Sequence, residues 1–316
     1  MPDRRSFLRL LATAVGTVEA APILSGQTRP ATTPSAAQPA GGGIRKSVLM
    51  SMLPKQRTYA ERLAVARAAG FDAIEIGTIA SDDEAAEIRD AAQKAGVTIH
   101  SVMNADHWRY PLSSADPEVV TRSVRGMETS FRNAKLWGAD AVLLVPAVVD
   151  AATSYKDAWA RSQTVIRERL LPMARDMKIV IAVEEVWNKF LLSPLEMARY
   201  VDEFETPWVR AYFDVGNIVF YGFPQDWIRT LGSRIVKVHL KDFALERGKG
   251  QFFWRNIGEG DIDWLEVRRA LADVKYAGYV TTEVSGGDEA YLTDLAQRVD
   301  RFMAGEKPFV KTPAHP

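Results

Sequence analysis

Four short β-like runs in the second half of the chain each end in a group able to bind a divalent cation. KIVIAVEEVWNK (178–189) runs into two adjacent carboxylates, Glu184 and Glu185. VRAYFD ends on Asp214, RIVKVH on His239 and GYVTTE on Glu283. An apolar strand that stops on an acid builds a poor core but aims a carboxylate out of a sheet end. Glu184, Asp214, His239 and Glu283 together offer three oxygens and one nitrogen. Such a set, leaving room for water or substrate, suits Mn²⁺ above all, and also Mg²⁺, Co²⁺, Fe²⁺ or Zn²⁺, as one divalent ion per chain. The chain has no cysteine, so thiolate sites and disulfides are excluded.

Strand alternation chooses between the paired glutamates. Ala182 and Glu184 share one face, and Ile181, Val183 and Glu185 the other. The bulky aliphatic face packs outward, which points Glu184 inward and leaves Glu185 behind it or in the loop. Other residues fall near the same ends. His100 in VTIHSVMN is expected to face the same mouth, either touching substrate or buried and satisfied. Asn217 in FDVGN offers an amide to a hydroxylated ligand or caps a helix. Lys241, two residues beyond His239, could polarise a carbonyl or pair with Glu283. Trp187, Phe253 and Trp254 lie in loops above the same end, where exposed aromatics suit sugar stacking. His107 lies in a loop and His315 in the tail; neither is given a role.

The elements that must position these groups alternate regularly from Ile44 onward. Strands are expected at RKSVLMSML, FDAIEIG, VTIHSVMN, ADAVLLVPA, KIVIAVE, VRAYFD, RIVKVHL and GYVTTEV. Helices are expected between them, including long ones over 117–137 and 155–177. A long loop containing FFWRNIGEGDID follows the seventh strand. Eight β-then-α units in a chain of 316 residues point to an α/β fold, a single (β/α)8 TIM barrel over 44–316. No G-x-G-x-x-G follows the first strand, which argues against a doubly wound sheet. The four ligand-type residues then fall on strands five to eight, side by side at the C-terminal ends where barrel active sites form.

Residues 1–43 read as a signal peptide and disordered linker. Arg4-Arg5 followed by Ser6-Phe7-Leu8 and the short apolar run LLATAVGTV resemble a twin-arginine export signal, implying a periplasmic or exported protein with no stable membrane insertion after processing. If that assignment fails, the protein is cytoplasmic. GQTRPATTPSAAQPAGGG reads as a tether. Lys and Arg total 40, as do Asp and Glu; without a basic surplus, nucleic acid is not an expected partner. A small sugar is, and the reading leaves room for a homo-oligomer.

VEEVWNKF, FDVGN, KVHLKD, GEGDIDW and YVTTEV, in that order, resemble the sugar isomerase/epimerase superfamily of xylose-isomerase-like TIM barrels, from about residue 46 to 304. In its ketose 3-epimerase and hydroxypyruvate isomerase members a Glu, Asp, His, Glu quartet binds one divalent metal. The resemblance places those roles on Glu184, Asp214, His239 and Glu283 and implies that the two glutamates form the acid/base pair. Asn217 stands where ketose epimerases carry a histidine. A cation holding a carbonyl and an adjacent hydroxyl stabilises an enediolate. Proton return to the opposite face gives epimerisation, return to the next carbon gives isomerisation, and loss of a β-hydroxyl makes a dehydratase or lyase acting on a keto-sugar or inosose. A nuclease of the endonuclease IV kind would need more histidines than the four present. A non-catalytic sugar-binding protein would need the quartet to be vestigial.

Overall fold

Alternate strand residues sort into two separate cores. Ala141, Leu143, Val145, Val180, Ala182 and Tyr212 pack together inside a closed sheet. Their neighbours Val142, Leu144, Ile181, Val183 and Phe213 join the larger core beneath the surrounding helices. A period of two with both faces buried is what a parallel barrel requires. The computed structural model describes residues 43–309.

The barrel strands are β1 (Arg45–Leu49), β2 (Ala73–Gly77), β3 (Thr98–Met103), β4 (Ala141–Leu144), β5 (Val180–Glu184), β6 (Val209–Asp214), β7 (Ile235–Leu240) and β10 (Tyr279–Thr282). They close in the order β1-β10-β7-β6-β5-β4-β3-β2, and every pair is parallel. The first and last strands meet, with Arg45 opposite Tyr279 and Val48 opposite Thr282. Two register shifts interrupt the ladder, between Ile74 and Glu75 on β2 and between Ala211 and Tyr212 on β6.

Helices α1 (Tyr59–Ala69), α2 (Asp82–Ala95), α3 (Pro117–Trp137), α4 (Tyr155–Val165), α5 (Leu171–Met177), α6 (Pro194–Asp202), α7 (Pro224–Leu231), α8 (Trp264–Asp273) and α9 (Glu289–Met303) follow from local signals. Thr58 and Glu61 form a capping box on α1, and Gly70, Gly96 and Gly138 end α1, α2 and α3 in the left-handed conformation. A π-helical turn over Ile166–Leu170 joins α4 to α5.

Two expectations about the elements are corrected. The first strand stops at Leu49, and Met50–Met52 forms a 3-10 turn that returns Met50 and Met52 to the core. The long loop after β7 is an antiparallel hairpin, β8 (Asp242–Glu246) with β9 (Gln251–Arg255). Its exposed strand carries aromatics on a half-solvated surface, so the apolar pattern that marks a buried strand is missing. The twin-arginine segment, nearly all of the tether and His315 lie outside the described residues. Among the described residues, no helix is long and apolar enough to cross a membrane.

Candidate metal centre

Three adjacent strands and the residue after β10 deliver the quartet. Glu184 ends β5 and Asp214 ends β6, opposite His239 on β7. Glu283 follows Thr282, and its amide donates to the Leu240 carbonyl at 2.9 Å, continuing the β10–β7 ladder. One donor atom from each of the four lies within 4.8 Å of the others. His239 Nδ1 is 2.9 Å from Glu184 Oε1, 3.3 Å from Glu283 Oε2 and 3.8 Å from Asp214 Oδ2.

Local turns hold these groups still. Asp214 Oδ1 accepts from the amides of Gly216 (2.7 Å) and Asn217 (2.8 Å), a side-chain-to-backbone turn that fixes the carboxylate plane. Gly216 is required by crowding: a Cβ there would lie 2.5 Å from Lys241 Cγ and 2.9 Å from the Lys241 carbonyl. Glu185 turns away from the quartet and accepts from the Asp214 amide at 3.0 Å.

The electrostatics are those of acids crowded around one imidazole and one ammonium. Burial raises the carboxyls of Glu184 and Asp214, and neighbouring acids push them further in the same direction. Burial would also raise Glu283, but His239 and Lys241 overturn that and hold it low. The His239 imidazole would be depressed by burial; Glu283, Glu75 and Glu184 instead hold it well above its ordinary value. Asp214 Oδ2 is buried, with Lys241 Nζ 2.9 Å away but no hydrogen bond completed. Three carboxylates and an imidazole nitrogen brought this close are a donor set that fits a hard or borderline divalent ion.

The remaining candidates divide. Lys241 joins the site, donating to Glu283 Oε2 at 2.7 Å. Trp254 is 45% exposed and stacks on Trp187 at 5.1 Å, with Lys241 Nζ 5.1 Å from its ring centre. A cleft of about 300 Å³ runs from Lys241 and Glu283 past Trp254 to Asn256 and Tyr291. Phe253 lies on the other face of the hairpin, under the Arg255 guanidinium.

The Asn217 amide nitrogen turns into the protein, its Nδ2 donating to the Glu185 carbonyl at 3.0 Å, while its main-chain carbonyl accepts from Trp187 Nε1 at 2.8 Å. His100 does not reach the mouth. It sits mid-strand, its Nε2 3.0 Å from both Ser47 Oγ and Thr281 Oγ1 and its ring stacked 4.3 Å from that of Tyr279. The expectation that it lies at the strand end fails because β3 runs three residues further, to Met103.

Sequence reasoning passed over Glu75, Tyr212, His107 and Asp242. Glu75 lies 3.3 Å from His239 Nε2. His107 is buried, accepts from the Val145 amide at 3.4 Å, and is depressed to about 4, chiefly by burial. Asp242 Oδ2 ties the GEGD turn to the barrel, accepting from Gly258 (2.8 Å), Gly260 (3.0 Å) and Trp264 Nε1 (2.9 Å). The buried acid in FDAIEIG was the available signal for Glu75, since a strand interior rarely carries an unpaired carboxylate.

L-ribulose-5-phosphate 3-epimerase UlaE of Escherichia coli K12 is 26% identical over 238 residues, covering 72% of this chain and 81% of that protein. Two solved structures share the fold. D-allulose 3-epimerase from Methylomonas sp., in complex with D-allulose, superposes with a TM-score of 0.64 at 20% identity, over 78% of this chain and 85% of that one. The 3-keto-D-glucoside 4-epimerase of E. coli superposes with a TM-score of 0.68 at 14% identity, over 83% of this chain and 99% of that one. The profile of one family matches residues 63–301. On that match the chain belongs to the xylose isomerase-like TIM barrel family.

Proposed function

We propose that the protein is a divalent-metal-dependent epimerase or isomerase of a ketose or keto-sugar. The observation that carries this reading is the placement of Glu184 and Glu283 on either side of His239, at 2.9 and 3.3 Å from its Nδ1. In the barrel order β10-β7-β6-β5 they enter from opposite sides. Glu184, Asp214, His239 and Glu283 would hold the ion, which when bound supplies Lewis-acid stabilisation of negative charge on substrate oxygens. Two carboxylates flanking one site make an acid/base pair, one taking the proton α to the carbonyl and the other returning one. Lys241, anchored on Glu283, stands at the inner end of the cleft, and the exposed Trp254 ring offers a stacking face for the apolar side of a sugar. The sugar epimerases among the relatives support the reaction class.

The test is incubation of Mn²⁺-loaded protein with a panel of ketoses and keto-glycosides in D₂O. A new epimer or isomer carrying deuterium at the exchanged carbon is expected. Loss of water instead would move the reading to a lyase, and no product or deuterium uptake across the panel would end it. Export by the twin-arginine route is proposed with it. Changing Arg4 and Arg5 together to Lys should leave precursor in the cytoplasm, and unchanged delivery would discard that route.

A further inference from the structure

Beneath the quartet lies a carboxylate that the proposed reaction does not use. Glu75, on β2, is fully buried, as are Tyr212 on β6 and His239 on β7. Glu75 Oε1 is 3.3 Å from His239 Nε2, and its Oε2 accepts from the Tyr212 hydroxyl. The Tyr212 ring lies 4.4 Å from the imidazole, tilted by 44°. Both oxygens of the carboxylate are therefore matched, which an acid in this setting needs if burial is not to cost several kcal/mol, on the order given by apolar transfer.

The two register shifts of the barrel fall on these same residues. Glu75 pairs with Ser101 where Ile74 pairs with Ile99, so His100 is the extra residue. Tyr212 pairs with Lys237 where Ala211 pairs with Ile235, so Val236 is the extra residue. A bulge re-aims the side chains beside it. Here two bulges on opposite parts of the barrel turn an acid and a phenol toward one imidazole.

The chemistry of that imidazole gives the arrangement its use. His239 meets Glu184, Asp214 and Glu283 through Nδ1. To bind an ion, Nδ1 must present its lone pair, so the ring proton belongs on Nε2 and needs an acceptor there. Glu75 Oε1 is that acceptor. We infer that Glu75 is a positioning residue for cation binding: it fixes the ring and tautomer of His239, and Tyr212 fixes Glu75. This rests on the metal-dependent reading above and carries it one layer deeper.

The test is titration calorimetry with Mn²⁺ on the full chain, comparing the parent with Glu75→Gln, Tyr212→Phe and, as a buried polar residue outside the relay, Ser130→Ala. Thermal melting of each without metal runs beside it. Glu75→Gln keeps the shape but loses the charged acceptor, and should weaken Mn²⁺ binding by about 10- to 100-fold, the range for the outer partner of a ligating histidine. Tyr212→Phe should weaken it less, and Ser130→Ala should leave it within about twofold on the same principle. Saturating Mn²⁺ should restore much of the turnover of Glu75→Gln. A merely structural role would lower the melting temperature and leave the affinity of the folded protein alone. Parent-like affinity in both relay variants would overturn the inference while sparing the metal site. Should Glu75→Gln not fold, unchanged affinity in Tyr212→Phe overturns it alone. No Mn²⁺ binding by the parent would instead sink the metal reading and this inference with it.

Discussion

Lys241 Nζ sits 2.7 Å from Glu283 Oε2 while also lying 2.9 Å from Asp214 Oδ2. Asp214, at the end of β6, and Glu283, just past β10, thus share one ammonium at the edge of the quartet. That ammonium neutralises charge that a cation would otherwise claim. Lys241→Met should therefore bind Mn²⁺ more tightly, by roughly tenfold for the loss of one nearby charge, yet turn over more slowly. Calorimetry and initial rates on the same preparation check this. Weaker metal binding in the variant would mean that Lys241 organises the carboxylates instead of competing for them.

Removing the ion should lower stability. A ligand that binds only the folded chain adds about 2.7 kcal/mol at a hundred times its dissociation constant. Chelated protein should melt at a lower temperature and recover on addition of Mn²⁺. His239→Ala should lose that response, and His100→Ala should retain it, since His100 bonds to Ser47 and Thr281 instead of the quartet. Equal responses would show that the fourth ligand has been misassigned.

Glu184→Gln and Glu283→Gln separate ligation from proton transfer. Each keeps one ligand oxygen and loses the titrating group, so turnover should fall by about 10² to 10⁴ at saturating metal. The two should differ in which half-reaction survives. With Glu283 intact, Glu184→Gln should still exchange the α-proton of unreacted substrate with D₂O. Near-parental rates in both variants would remove the pair from the mechanism.

His107 gives a pH signature. Its imidazole titrates at about 4 in the fold, against an ordinary value of 6.5. The unfolded chain therefore binds the extra proton first as pH falls. Stability contributed by the neutral ring is complete above about pH 6.5 and is lost progressively toward pH 4. Between pH 7 and 4.5 the parent should lose roughly 2 kcal/mol more than His107→Gln, by linkage. Denaturant unfolding at both pH values measures it, and parallel losses would place the ring in contact with solvent.

The barrel was legible because its signals are local. Strand patterning, caps such as Thr58 and Ser81, and the helix-ending glycines each act within a few residues. Glu184 was separable from Glu185 because a period of two is enforced when both sheet faces are buried. What could not be read depends on register and distance. His100 looks like a mouth residue until β3 is seen to continue past it, and Glu75 meets His239 across a separation of 164 positions. Asn217 was readable as an amide near the site, but not as one whose donor is already committed to Glu185. The hairpin was missed because Phe252 and Trp254 remain exposed, so no burial period marks it.

The junction of β1 with β10 also ties the quartet to closure of the barrel. Glu283 reaches the quartet only through its own strand, which is held on one side by β7 and on the other by the first strand of the barrel. Without β10, Glu184, Asp214 and His239 would lack the fourth member of the quartet. Tight capture of the proposed ion would therefore require the last strand in place and the two ends of the barrel joined. On the proposed metal reading, occupancy of the quartet would therefore mark closure of the barrel as well as readiness for chemistry.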